Sequence, residues 1–386
     1  MEIHSLKRIF SAGMGKSLVL FSSVALALSS CSKPEPDFSA TLTGVDSDTL
    51  LVFVEELGTR KFILTDTVPV KENRFEVQLP DSALYIRFVP KPKSASQPIR
   101  MFQQRPLMYF PGDKMKVEGD VSNFKAYGTP FYDDLARYEE VAKLEAEIRK
   151  LNGDFNALYK AKKEAELAEN RKQVVAAFDR LYAERMKAIK ANPNSLVAGY
   201  FAVDLSPEQG LEAIELLSDE VKNGPLASII KNGKESYERR IIIDKAKENM
   251  KPGMRAPEFK LKTLEGKEVT LDTFKGKYLL MDFWGTWCGW CIKGIPQMKK
   301  YYEKYGKKME ILGVSCKDTE AGWRNGVARH KLPWVNVHEG DSNIWAHYAV
   351  TGFPTKVLID AKGNIVRVFV GETPELYKEL DRLFGK

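Results

Sequence analysis

Two cysteines, Cys288 and Cys291, stand three residues apart in the segment FWGTWCGWC, residues 283–291. A Cys-x-x-Cys pair can be half of a zinc site, a structural disulfide or a redox dithiol. A structural zinc needs four ligands, and the chain offers no second Cys-x-x-Cys and no His-x3–5-His pair. Cys316, His330, His338 and His347 lack that grouping, so no metal is expected. Haem attachment asks for a histidine after the second cysteine, and the residue there is Ile292. A disulfide across two residues closes so short a loop that it stabilises little by chain entropy. Redox chemistry is the reading these residues favour.

The elements around the pair bear on that chemistry. The run KYLLMDFW (277–284) reads as a buried strand, and CIKGIPQMKKYYEKYG (291–306) reads as a helix. Cys288 therefore stands where a helix begins, among unpaired backbone N–H groups at the positive end of the helix dipole, both of which stabilise a thiolate. Cys288 is expected to be the exposed sulfur, and Cys291, one turn further in, the more buried one that reaches back to it. Asp282 lies six residues before Cys288 inside the apolar strand, where a carboxylate is costly to bury. Burial should raise its pKa toward proton transfer. Trp284 reads as core, and Trp287 and Trp290 as an apolar contact surface. Cys316 ends the next strand, MEILGVSC, and reads as a buried thiol, with a third redox thiol as the alternative.

Further out, FKLKTLEGKEVTL reads as a hairpin, EAGWRNGVARHK as a helix, TKVLID and NIVRVFV as strands, and the last residues to Phe384 as a helix. Alternating strands and helices call for a parallel sheet with an antiparallel edge. A Pro/Gly-punctuated stretch, MKPGMRAP, sets a boundary near residue 252. Before it, residues 129–251 carry helical periodicity. Leu135, Tyr138, Val141, Leu144, Ile148 and Leu151 mark one face of a helix expected to stop at Asn152-Gly153. A second, Lys/Glu/Ala-rich helix runs to about Lys190, and Ser206-Pro207 with Gln209 opens another. Residues 38–128 alternate with period two in short strands, including TLLVFVEEL, RKFILTDTV and ALYIRFV, as expected of an antiparallel β-sandwich. Pro111-Gly112 is expected to turn a hairpin between PLMYF and KMKVEG.

The N-terminus addresses location. Lys7, Arg8 and Lys16 precede SLVLFSSVALAL, too short to span a bilayer and the length of a secretory apolar core. The stretch ends LSSC, Leu28 to Cys31, and resembles the bacterial lipoprotein signal, in which the cysteine becomes the lipidated first residue. Residues 1–30 are then the signal peptide and 31–37 a tether. The chain has a formal net charge of +7, of which the first 30 residues supply two. The remainder indicates no nucleic-acid patch.

The segment MDFWGTWCGWCIKGIP resembles the active-site segment of thioredoxins, and VTGFPTKVLID resembles their later proline loop. LGVSCKDTEAGWRNGVARHKLPWVNV, between them, resembles the insertion of the membrane-tethered TlpA/ResA/DsbE-type branch. The preceding β region resembles the all-β domain, of uncharacterised function, found ahead of thioredoxin-like domains in Bacteroidetes-type lipoproteins. The resemblance covers roughly residues 253–386. It implies that Cys288 attacks a substrate disulfide, Cys291 resolves the mixed disulfide and Asp282 moves the second cysteine's proton. It further implies that Pro354 is cis and that the backbone of Phe353 pairs with an extended substrate strand. The Gly289-Trp290 dipeptide departs from the Gly-Pro of ordinary thioredoxins, which leaves the direction of electron flow open.

The expected protein is multidomain: a β-sandwich (38–128), a helical region (129–251) and an α/β thioredoxin fold (252–386). It is expected to be a lipid-anchored, periplasm-facing thiol-disulfide oxidoreductase of the bacterial cell envelope, with no cofactor beyond its own Cys288–Cys291 disulfide. Family precedent points to reduction of disulfides in exported proteins, including cytochrome c maturation, with electrons from a membrane thiol-transfer protein. Alternatives are an oxidase or isomerase, a partner-binding lipoprotein, and a thioredoxin-fold peroxidase. The peroxidase lacks support because DFWGTW, before Cys288, has no proline of the P-x-x-x-T-x-x-C pattern.

Overall fold

A computed structural model describes residues 35–385 apart from 46, 60, 92–105 and 122; the leader at 1–30 and Cys31 lie outside the described residues. Period-two alternation gives eight short strands: β1 (Phe38–Thr43), β2 (Thr49–Glu56), β3 (Phe62–Pro69), β4 (Arg74–Val77), β5 (Leu84–Pro90), β6 (Leu107–Tyr109), β7 (Met115–Asp120) and β8 (Asn123–Tyr127). Among the described residues they form two four-stranded sheets, ordered β4-β1-β7-β8 and β3-β2-β5-β6. The alternate residues Phe38, Ala40 and Leu42 of β1 share one buried cluster with Leu50, Val52 and Val54 of β2, so apolar faces of both sheets meet.

Two expectations are corrected here. The β region is not wholly antiparallel: β1 pairs with β7 in parallel, Phe38 opposite Met115. The chain crosses to the other sheet between them, so no tight turn dictates opposite directions. The Pro111-Gly112 turn exists, with Gly112 at φ +84°, but it closes no hairpin. β6 pairs with β5 while β7 pairs with β1 and β8, so the turn carries the chain from one sheet to the other.

Seven helices follow among the described residues: α1 (Pro130–Leu135), α2 (Glu139–Lys160), α3 (Glu164–Ala191), α4 (Leu196–Ala202), α5 (Pro207–Leu216), α6 (Asp219–Lys222) and α7 (Ala227–Asn249). α2 runs through Asn152-Gly153, where a stop was expected. A mid-helix glycine costs about 1 kcal/mol. Burying a side chain such as Ile148 in the α2–α3 cluster returns roughly 1.5–3 kcal/mol. The reversal falls instead at Lys162, in the left-handed region at φ 56°. Arg185 of α3 is buried in this region. Its guanidinium lies 2.7 Å from Glu145 Oε1 and 2.9 Å from Asp204 Oδ2.

α7 touches all three parts of the chain. Its Asn232 amide donates to the Gly58 carbonyl in the β2–β3 turn (2.6 Å). Ile230 and Tyr237 belong to the helical core, and Ile243 to the core of the C-terminal part.

That part opens with a two-stranded ribbon, β9 (Lys260–Lys262) and β10 (Glu268–Thr270). There follow β11 (Tyr278–Trp284), α8 (Gly289–Tyr305), β12 (Met309–Ser315), α9 (Glu320–His330), β13 (Val335–His338), α10 (Ile344–His347), β14 (Thr355–Ile359), β15 (Ile365–Val370) and α11 (Pro374–Phe384). The sheet order is β13-β12-β11-β14-β15. β11, β12 and β13 run parallel, and β14 and β15 form the antiparallel edge. β11 is the central strand and is buried from Leu279 to Trp284. This buried central strand leads to the head of α8, where the cysteines stand.

Candidate active site

Cys288 is the N-cap of α8, and its sulfur accepts the backbone N–H of Cys291 at 3.2 Å. That hydrogen bond is the type expected to favour a thiolate at this position. The two sulfurs are joined in a disulfide, with Cα atoms 5.3 Å apart. One expectation fails. Cys288 is 6% exposed and Cys291 5%, so neither is the exposed sulfur of the pair. Both lie in a small cluster with Trp284, Trp323 and Val327, which covers the pair from the α9 side.

The loop between β11 and α8 is held from the next strand. The Thr286 backbone N–H donates to Asp318 Oδ2 at 2.9 Å, and the Ser315 hydroxyl donates to the same oxygen at 2.6 Å. The Trp287 indole N–H donates to the Cys316 carbonyl at 3.0 Å, and its ring meets Phe353 edge-on at 5.2 Å. This requires glycine at 285, because an added Cβ there falls 2.4 Å from Trp287 Nε1. Trp287 and Trp290 are 51% and 66% exposed while Trp284 is buried. Two lysines flank this apolar surface. Lys293 Nζ lies 4.8 Å from the Trp290 ring centre and Lys317 Nζ 5.5 Å from that of Phe353. The Phe353–Pro354 peptide bond is cis.

Asp282 is buried, and that burial raises its carboxyl pKa above the ordinary range, against the neighbouring Lys356. Lys356 Nζ is 3.5 Å from Asp282 Oδ1 and 2.9 Å from Glu372 Oε2. Burial acts to lower the Lys356 pKa, but the two carboxylates outweigh it and hold the ammonium above its usual value. Cys316 is fully buried, and desolvation pushes its thiol well up, so it is neither exposed nor inclined to ionise.

Sequence reading missed Lys356, Glu372 and Asp318. Lys356 carries a signal that could have been used: a lysine directly before the apolar run Val357–Ile359, two residues after Pro354. Glu372 and Asp318 carry none, since only the tertiary fold brings them to the pair.

The Redoxin family model matches residues 251–383. The thiol-disulfide oxidoreductase ResA of Bacillus cereus is 38% identical over 127 residues, 33% of this chain and 73% of that protein. Its counterpart in Bacillus subtilis is 32% identical over 130 residues, again 33% and 73%. The thioredoxin domain of a thiol-disulfide oxidoreductase from Bacteroides vulgatus is 31% identical, with 34% of this chain and 97% of that one covered and a TM-score of 0.33.

Proposed function

Since this chain belongs to the TlpA/ResA/DsbE-like branch of the thioredoxin family and is a thiol-disulfide oxidoreductase, we propose that Cys288 and Cys291 are its redox centre and that it reduces disulfides of exported proteins. In the reduced enzyme the Cys288 thiolate attacks one sulfur of a substrate disulfide, and the other leaves as a thiolate. Cys291, giving its proton to Asp282, attacks Cys288. The Cys288–Cys291 bond forms, the mixed disulfide breaks, and the second substrate sulfur departs and takes up a proton. Two electrons pass from enzyme to substrate, and a membrane thiol-transfer protein returns them through its own dithiol. The observation that carries this reading is the disulfide at the N-cap of α8, with the Cys291 N–H on the Cys288 sulfur.

Trp287, Trp290 and Phe353 receive the apolar part of the substrate, and the backbone of Phe353 beside Pro354 pairs with an extended segment of it. Cytochrome c maturation is one reaction of this kind. Cys31 is the lipid attachment point, which faces the enzyme into the periplasm, anchored in the cell envelope. We take residues 38–128 as a β-sandwich, supported by the apolar cluster its two sheets share, 129–251 as a helical unit and 252–386 as the redox domain.

Trapping tests the reading. A Cys291→Ser variant should retain exported proteins as mixed disulfides on Cys288, released by reductant, while the wild type reduces insulin. Absence of trapped protein together with an inactive wild type would refute it. A titration of the pair against glutathione gives the direction, a more positive potential favouring oxidase or isomerase work.

A further inference from the structure

Three segments converge on a buried ionic cluster beside α8. Asp282 of β11 and Lys356 of β14 are register partners, and Lys356 bridges Asp282 and Glu372 at 3.5 and 2.9 Å. Lys356 is 1% and Asp282 6% exposed. Glu372 is set by its neighbours. The Gly371 N–H donates to the Pro354 carbonyl at 2.7 Å, and the Tyr377 hydroxyl donates to Glu372 Oε1 at 2.6 Å. The Glu372 carboxylate also lies against Gly294, where an added Cβ would stand 2.3 Å from Oε2. Gly294 is three residues beyond Cys291, on the same turn of the helix. Any side chain at 294 would push this carboxylate away.

With both carboxylates ionised, the cluster holds two negative charges against one positive in a desolvated place, a costly imbalance that one added proton removes. The groups that face it are Tyr377 of α11, whose ring meets that of Tyr301 of α8 at a tilt, and the Cys316 thiol after β12, which feels the Asp282 charge. Each of these is neutral in its ordinary state, so Glu372 is the charge that keeps Lys356 from being committed to Asp282 alone.

Resting on the redox reading above, we propose that Glu372 is a positioning residue for the resolving step. It draws the Lys356 ammonium away from Asp282 and keeps Asp282 basic enough to take the Cys291 proton, so that the three groups hold one exchangeable proton as a unit. The balance is simple. The proton leaves the Cys291 thiol for the Asp282–Glu372 pair, the resulting thiolate forms the bond to Cys288 and expels the substrate thiolate, and the proton returns to Cys291 when an external dithiol reduces the pair.

The test uses the full chain and follows the two steps separately by rapid mixing with a fluorescent peptide disulfide across pH 4–9. In Glu372→Gln, Lys356 pairs with Asp282 alone and Asp282 becomes the weaker base. The acid limb of the resolving step should move down by about one pH unit and its plateau should fall several-fold, with the Cys288 attack step unchanged. Gly294→Ala keeps all three ionisable groups and displaces only the carboxylate. It carries the same expectation should E372Q not fold. A resolving profile that superimposes on the wild type, or an equal change in both steps, overturns the proposal. A wild type that reduces no disulfide overturns the redox reading instead.

Discussion

Replacing Gly285 by alanine should disable the substrate surface without touching either sulfur. The new Cβ would sit 2.4 Å from Trp287 Nε1, 2.7 Å from its Cε2 and 3.0 Å from the Cys316 carbonyl oxygen. No rotation of a methyl relieves contacts made by Cβ itself, so the indole must leave. Leaving forfeits the hydrogen bond to Cys316, worth about 0.5–1.5 kcal/mol net. It also forfeits the edge-on contact with Phe353, worth about 0.5–1.5 kcal/mol beyond buried area. Together these predict a loss of about 1–3 kcal/mol, or roughly 5- to 150-fold in kcat/KM for a protein disulfide. A small disulfide reagent, which needs no such surface, should react at nearly the wild-type rate. A Trp287→Phe background supplies the control, since phenylalanine has neither of the two indole atoms nearest the new methyl. There G285A should cost far less, giving a coupling energy equal in size to the single loss and opposite in sign. An undiminished kcat/KM in G285A, or an equal penalty in both backgrounds, would refute the reasoning.

Three further outcomes are expected. Arg185→Met removes the guanidinium 2.7 Å from Glu145 while Arg149 stays 3.9 Å from that carboxylate, so the chain should lose about 1.5–3 kcal/mol in urea unfolding followed by helical circular dichroism. Cys316 should resist alkylation in the native oxidised protein and react only after unfolding, as read by peptide mass mapping, because it is fully buried with a raised pKa. Asp282 binds its proton more tightly folded than unfolded. Its contribution to stability is therefore greatest below the unfolded pKa of about 3.9 and declines as pH rises through the higher folded value. Asp282→Asn removes that decline, so the stability of the variant relative to wild type should climb with pH across this window. A flat difference in urea melts would contradict the assignment.

The C-terminal architecture could be read from the residues because its signals are local and strong. The apolar run 278–284, the helix after Cys291 and the paired strands around Lys362-Gly363 each declare their type through periodicity. β13 and α10, four residues each, are too short to establish a period. The parallel β1–β7 pairing escaped because direction is a property of the crossover rather than of either strand. The helix expected to end at Gly153 continued because packing outweighed propensity, a contest that propensity alone cannot score. At the site, spacing singled out the cysteines and the aspartate, which lie on one stretch of chain, and the resemblance to thioredoxins singled out Pro354 on a separate, later stretch. Sequence could not locate Glu372, which reaches the cluster only where the Gly371 N–H meets the Pro354 carbonyl. Nor could it foresee that Cys288 is covered, because Trp323 and Val327 arrive from a helix more than thirty residues away.

The single helix α7 makes a strut of what could have been a linker. At 1.5 Å per residue its 23 residues span about 35 Å, and it is gripped by the β2–β3 turn, the helical core and the redox core in succession. The bearing of the disulfide face relative to the front of the molecule is thereby keyed to residue count. One residue inserted near Arg240, between Tyr237 of the helical core and Ile243 of the redox core, would swing that face by about 100°, and seven would restore it to within about 20° after lengthening the arm by about 10 Å. Aim and reach of the thiol chemistry are thus separately adjustable along one stretch of chain.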